Sequence, residues 1–327
     1  MNKLNFNGKT LACGLLLITL LGLPFSGIYT LFAIKALCFA LFAAAFNLLL
    51  GQVGLLSFGH AAFFGLSAYV CGHAATSWGL PTEIAILFGT VVAAVLGLGI
   101  GWLAIRRQGI YFAMITLALA QMVYFFCLQA PFTGGEDGIQ SIPRGNFIGL
   151  FSLESDTAMY YFVLGVFLLG VMALYRIIHS PFGAVLQAIR ENEARAISLG
   201  YDVNRYKLTA FVLSAALTGL AGATKAVAMQ IATLTDVHWH LSGEVILMSL
   251  FGGTATFAGP FFGGMSIVSL QNFFADKVGD WVTVIMGVIF VVCVMAFRQG
   301  VVGEFYEWLS RRKAVRLSVM TKKEFNS

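Results

Sequence analysis

The stretch IAILFGTVVAAVLGLGIGWLAI, from Ile84 to Ile105, decides the fold. It contains no charged residue, and it is long enough to cross the hydrocarbon core of a bilayer, which takes about 20 apolar residues in a helix. Lipid offers no partner for a backbone amide or carbonyl, so a spanning segment is a helix or a strand of a closed barrel. Barrel strands alternate apolar and polar side chains over about 10 residues. This run is apolar throughout and predicts a helix. Outward from it the same pattern recurs at Leu11–Tyr29, Leu31–Leu50, Ile110–Ala130, Tyr160–Tyr175, 208–231 and Trp281–Phe297. The composition agrees: 59% of the residues are hydrophobic and 11% charged, where a soluble domain carries about 25% charged residues. The chain reads as all-α, a polytopic integral membrane protein with one domain over residues 1–327 and about eight to ten transmembrane helices, broken or re-entrant segments included.

Lys3 and Lys9 precede the first run as they would in a signal peptide. The run is long and no small-x-small cleavage site follows it, so a retained first helix is expected. The five cysteines, Cys13, Cys38, Cys71, Cys127 and Cys293, all fall in apolar runs without metal-ligand spacing and read as small core side chains.

Basic residues of short loops stay cytoplasmic, and here all Lys and Arg residues but Lys35, Arg144, Lys225 and Lys277 belong to four clusters. These are Lys3 with Lys9, Arg106 with Arg107, the set from Arg176 to Lys207, and a tail from Arg298 that includes the basic stretch 306–327. All four are placed inside, which makes both termini cytoplasmic. The loop Pro131–Ala158 carries Glu136, Asp137, Glu154 and Asp156 against Arg144 and is placed outside. Val53–Ala74 is expected as one crossing, and 243–275 as a broken hairpin or two short crossings. Lys35 and Lys225, near the outer ends of their helices, read as side chains that snorkel to the interface.

Two stretches resist a simple helix reading: GQVGLLSFGHAAFFG, Gly51 to Gly65, and LFGGTATFAGPFFGG, Leu250 to Gly264. Glycine and proline at membrane depth suit close helix packing or interrupted helices that line a path for a polar substrate. Candidates for such a path are Ser57, His60, Thr254, Thr256, Gly259 and Pro260, with Glu244 as an acidic group inside a membrane segment. His60 equally suits a core position, and Glu244 a wet one.

SPFGAVLQAIRENEARAISLGYD, Ser180 to Asp202, is different in kind. Pro181 suits a first helical turn. Val185, Ile189, Ala196 and Leu199 make an intermittent apolar stripe, Arg190, Glu191, Glu193 and Arg195 decorate the other face, and Gly200 ends the helix. The expectation is one short amphipathic helix in a cytoplasmic loop, 180–206, that packs on the bundle and offers charge outward. A solvated connecting loop or a helix lying on lipid would share parts of this pattern. The balance of Glu against Arg favours a protein contact.

SPFGAVLQAIRENEARAISLGYDVNRYKLTAFVLSAALTGLAGA resembles the cytoplasmic loop of the branched-chain amino acid ABC transporter permease family. NLLLGQVGLLSFGHAAFFGLSAYV, TGGEDGIQSIPRG and FGGTATFAGPFFGG resemble the same family in the same order, over roughly residues 30 to 300. Ala194-Arg195-Ala196 followed by Gly200 is similar to the permease motif Glu-Ala-Ala-x-x-x-Gly, with Ala in place of its Glu and Arg in place of its middle Ala. Ala255 stands where the family usually has Gly. The resemblance implies a transport subunit of the bacterial inner membrane, surrounded by lipid. It implies a homologous second permease, two ATP-binding subunits and a periplasmic substrate-binding protein, with no nucleic acid among the partners. It also makes residues 181–200 the coupling surface for the ATPases, with Pro181, Gly183, Arg190, Glu191, Asn192, Glu193, Arg195 and Gly200 as its residues. The chain has no phosphate-binding G-x-x-x-x-G-K-[ST] loop, so ATP is expected on the partners, with no cofactor, metal or catalytic residue in this chain. The amino-acid branch of the family is favoured. A permease for urea or another small organic solute, or a stand-alone secondary transporter, is the alternative.

Overall fold

The computed structural model describes residues 19–25, 29–147, 149, 151–296 and 300–304. Lys3, Lys9, Arg298, the basic tail 306–327 and most of the expected span Leu11–Tyr29 lie outside the described residues. Within that span residues 19–25 are helical, and the carbonyls of Leu20 and Leu21 accept hydrogen bonds from the hydroxyls of Tyr160 and Tyr161 at 2.6 and 3.2 Å.

The described helices are α1 (Thr30–Gln52), α2 (His60–Thr76), α3 (Thr82–Ala104), α4 (Ile110–Gln129), α5 (Asp156–Ile178), α6 (Pro181–Glu191), α7 (Glu193–Ser198), α8 (Val203–Met229), α9 (Trp239–Gly252), α10 (Gly259–Val278) and α11 (Val282–Ala296). The strands are two residues each: β1 (Ile139–Gln140), β2 (Asn146–Phe147), β3 (Phe151–Ser152) and β4 (Ile231–Ala232). β1 pairs antiparallel with β4, and β2 with β3. The all-α expectation holds. Five of the described helices, α1, α3, α4, α5 and α8, are long and apolar enough to cross a membrane, and their bounds follow the apolar runs within a few residues, except that α8 begins five residues early, at Val203.

α1 and α8 form the centre. Of the apolar window of α1, 89% is buried, against 22% for α4. Both are hydrophobic sequences, so position in the bundle separates them: α1 is surrounded by protein, whereas α4 presents Ile110, Tyr111, Met114 and Met122 outward as a lipid- or partner-facing helix does. Small residues let the central helices approach closely. Gly222 of α8 lies so near the Phe64 carbonyl of α2 that a Cβ there would overlap it.

The bundle has two ends. At one, the outer loop is clamped by Arg144, which is 8% exposed. Its guanidinium donates to Asp156 at 2.7 Å, to the Glu154 carbonyl at 3.0 Å and to the Ala228 carbonyl in the last turn of α8 at 3.0 Å. The β1–β4 pairing ties the same loop to the segment that follows α8. At the other end lie Arg106 and Arg107, α6 and α7, and the turn 253–258. The acidic loop and the two basic clusters among the described residues, Arg106 with Arg107 and the set from Arg176 to Lys207, therefore sit at opposite ends, and these ends are called outer and inner below.

The break expected within Gly51–Gly65 is present: residues 53–59 are non-helical and α2 begins only at His60. The segment 243–275 is a tight hairpin broken at residues 253–258, with α9 running to the inner end and α10 returning from it. One expectation changes. The expected single amphipathic helix is two, because Asn192 leaves helical geometry (φ −158°, ψ 96°) and its Oδ1 accepts the Arg195 amide at 3.0 Å. A side-chain oxygen that caps a new helix competes with continuation of the old one. Gly200 does end α7: it has φ +86°, and the Gly200 and Tyr201 amides donate back to Ile197 and Ala196 at 2.9 and 3.2 Å, the paired bonds of a Schellman motif. Asp202 then caps α8 by accepting the Arg205 amide at 3.3 Å, so the loop closes four residues earlier than the expected 206.

Candidate functional site at the inner junction

The two broken stretches and the amphipathic segment, far apart in sequence, meet at the inner end. Asn47, one of the few polar side chains on α1, is buried and donates from Nδ2 to the Thr254 carbonyl at 3.3 Å. Gly51 packs against the same carbonyl, 2.7 Å from where its Cβ would stand, so the end of α1 and the turn between α9 and α10 are in direct contact. From the other side Arg190 of α6 donates to the Gly51 carbonyl. That carbonyl belongs to the last turn of α1, where no helical amide reaches it and where a cation is favoured by the helix dipole.

The segment 53–59 is lightly held. Val53 and Leu55 donate to the Leu49 carbonyl at 3.1 and 3.3 Å, and the Phe58 amide donates to Thr116 Oγ1 on α4 at 3.2 Å. Among the described residues no partner reaches the amides of Gly54, Leu56 or Ser57. Gly54 has φ +80°, a conformation that glycine adopts without strain. Between this segment and α4 lies an apolar cavity of about 430 Å³, lined by Gly54, Leu55, Leu56 and Phe58 on one side and by Gly109, Ile110, Ala113, Met114 and Leu117 on the other.

Of the expected path residues, Ser57 and His60 are fully buried and turn into the bundle, away from that lining. Ser57 Oγ accepts the Gly59 amide at 3.1 Å. His60 sits edge-on among Phe46, Phe63 and Phe211 with Nε2 2.9 Å from Ser214 Oγ. Ser214 has one hydroxyl hydrogen and gives it to the Ala45 carbonyl at 2.6 Å, so Nε2 of the neutral ring is the donor in the His60–Ser214 bond. Thr256 accepts the Gly259 amide at 3.0 Å and donates to the Gly253 carbonyl at 3.2 Å, closing the turn before α10. Pro260 stands in the first turn of α10. Gly259 abuts the Gly252 and Gly253 carbonyls so closely that it serves packing. Glu244 is half-buried on α9 with His240 Nδ1 3.7 Å away.

The residues expected for coupling divide by direction. Arg190, Glu191, Asn192 and Arg195 are exposed, although the Arg190 guanidinium also reaches inward to the Gly51 carbonyl. Pro181 begins α6 after Ser180, whose hydroxyl accepts the Gly183 amide at 3.4 Å. Gly183 is buried against the Ile177 and Ile178 carbonyls and faces its own bundle. Glu193 pairs with the buried Lys207 at 2.8 Å. Leu199, expected in the apolar stripe, is exposed; Leu186, Ile189, Ala196 and Val203 are the buried set.

The reading of Lys225 as a snorkelling side chain is overturned. Its ammonium is buried and donates to both oxygens of Asp236 at 2.9 and 2.7 Å, and Asp236 also accepts from the hydroxyl and amide of Thr233 at 3.1 and 3.3 Å. An ammonium next to an available carboxylate has no need of the interface. Sequence reading missed Asp236, although Thr233-x-x-Asp236 is a capping-box spacing. It missed Asn47 too, a polar residue in an otherwise apolar run.

A profile of the branched-chain amino acid transport system / permease component family matches residues 28–294. The chain belongs to this family. The matched region holds both breaks, the α6–α7 pair and the apolar cavity. The chain is 28% identical over 230 residues to the high-affinity branched-chain amino acid transport system permease protein LivM of Escherichia coli, covering 63% of this chain and 54% of that protein. To LivM of Salmonella typhimurium it is 27% identical over 244 residues, 68% of this chain and 57% of the relative. The high-affinity branched-chain amino acid transport system permease protein BraD of Pseudomonas aeruginosa is 23% identical over 282 residues, 81% of this chain and 91% of that protein. The chain thus spans little more than half the length of the two LivM proteins. No solved structure matches it significantly. As a family member with these helices it is a multi-pass membrane protein.

Proposed function

We propose that this chain is the transmembrane permease subunit of an ATP-binding-cassette importer for branched-chain or other hydrophobic amino acids. The observation that carries the reading is the junction itself: an exposed, mixed-charge helix pair, α6 and α7, is fastened to a segment near the inner end, residues 53–59, that lacks helical hydrogen bonds. Such an arrangement converts a push from outside the membrane into a change of the path. Two ATPase subunits, which alone bind ATP, press on the exposed side of α6 and α7 through Glu191, Asn192 and Arg195. A second permease completes the path, and a periplasmic binding protein delivers the solute. Both termini and the α6–α7 pair lie in the cytoplasm of a bacterial inner membrane. The apolar cavity beside residues 54–58 suits a solute with a hydrophobic side chain, and the names of the relatives support the same substrate class.

Reconstitution of the chain with its second permease, ATPases and binding protein into liposomes tests the proposal. ATP-dependent accumulation of labelled leucine, lost when the ATPase is inactivated, is expected. Uptake that persists without any ATPase identifies a stand-alone transporter instead.

A further inference from the structure

Resting on that reading, we infer that Arg190 is a positioning residue that works inward: it transmits movement of α6 to residues 53–59 and is not part of the surface that meets the ATPase. Arg190 is an exposed residue whose side chain nonetheless turns to the bundle: its Nη1 group donates to the Gly51 carbonyl, and its Cγ lies 3.2 Å from where a Cβ on Gly54 would stand. Charge and stem thus grip both ends of a four-residue stretch. The second fastening of the helix pair is Glu193 to Lys207, and Lys207 belongs to α8, a continuous helix packed in the centre of the bundle.

The two fastenings differ in stiffness. α8 holds its backbone by a full helical ladder, whereas 53–59 has amides without partners and a glycine at positive φ. A displacement of α6 is taken up where the backbone bonds are fewest. A polar cavity of about 220 Å³ lies between the fastenings, lined by Val53, Gly54, Leu55, Arg190, Glu193 and Lys207 among others, and leaves room for the Arg190 stem to shift. Gly51 also touches the Thr254 carbonyl, so the same movement reaches the α9–α10 turn. This is a contiguous chain of physical contacts from α6 to both breaks, the kind of route along which coupling between sites is carried.

The test uses the assembled complex in nanodiscs, with native cysteines replaced and Leu56→Cys as a reporter in the exposed part of the segment. Thiol labelling is measured with and without ATP. With Arg190 intact, ATP is expected to change the labelling rate several-fold. Arg190→Met is expected to abolish that ATP dependence and substrate-stimulated hydrolysis while the ATPases still co-purify, and Arg190→Lys, which keeps a donor and the charge, to restore part of both. Loss of co-purification in Arg190→Met with ATP-dependent labelling retained by whatever complex remains makes Arg190 a docking contact and overturns the inference. Unchanged behaviour of Arg190→Met overturns it as well. If no ATPase binds even the unaltered chain, the importer reading itself fails and takes this inference with it, an outcome distinct from the other two.

Discussion

Lys225 and Asp236 show what a single pair does inside this bundle. Both are buried, and each is the other's charge partner. Removing one member of a buried ion pair typically costs about 3–5 kcal/mol, because the remaining charge is stranded, while replacing both by apolar groups is often far less harmful. Lys225→Met or Asp236→Leu alone should therefore lower the thermal unfolding midpoint in detergent clearly, and the double variant Lys225→Met with Asp236→Leu should recover much of the loss. Additive losses would mean that the two side chains do not act as a pair. Gly183 carries a second lesson at this scale. A tryptophan there strikes the Ile177 and Ile178 carbonyls of the chain's own backbone, so Gly183→Trp is expected to reduce the amount of folded protein, measured by size-exclusion profile, before any partner is added.

At the scale of elements, the α9–α10 hairpin depends on backbone contact. Gly263 lies against the Met248 carbonyl, and Gly252 against Gly259, with no space for a side chain. Gly263→Ala should be destabilising, since overpacking costs about 1–3 kcal/mol. Gly243→Ala on the same helix pair is the matched control: nothing lies within 4 Å of its added methyl, and alanine is favoured over glycine within a helix by up to about 1 kcal/mol. The two variants should shift the melting temperature in opposite directions. Equal shifts would show that these glycines matter for chain flexibility rather than contact. The existence of both breaks was legible from glycine and proline at membrane depth, and so was the amphipathic segment. The division of that segment at Asn192 was not, because an asparagine in a charged run reads as one more solvated residue until its side chain is seen to cap α7.

For the whole molecule, the placement of the acidic loop at the opposite end from Arg106, Arg107 and the α6–α7 pair makes a topological prediction. Single cysteines from Glu136→Cys and Glu191→Cys, both at exposed positions, should react with a membrane-impermeant thiol reagent from opposite sides of sealed vesicles, with position 191 on the cytoplasmic side. Reaction of both from one side would remove the basis for a coupling role of α6 and α7.

Apolar run length, charge clusters and helix-breaking residues were enough to read an all-α membrane bundle, the five long apolar helices among the described residues, and the separation of the acidic loop from Arg106, Arg107 and the α6–α7 pair. These are local properties, and lipid acts on each segment separately: a run of some 20 apolar residues must satisfy its own backbone whatever its neighbours do. The candidate site was only half visible in that way. Arg190 with Gly51 and Arg144 with Ala228 are 139 and 84 residues apart in sequence, and no local pattern says which carbonyl a guanidinium will find. His60 and Ser57 stand out in the sequence as polar residues in an apolar stretch; packing buries both in the bundle, while the cavity beside this segment is lined by Gly54, Leu55, Leu56 and Phe58. Which side chain lines a space and which fills the core depends on the rotation of each helix against its neighbours, and that is decided only when the helices pack.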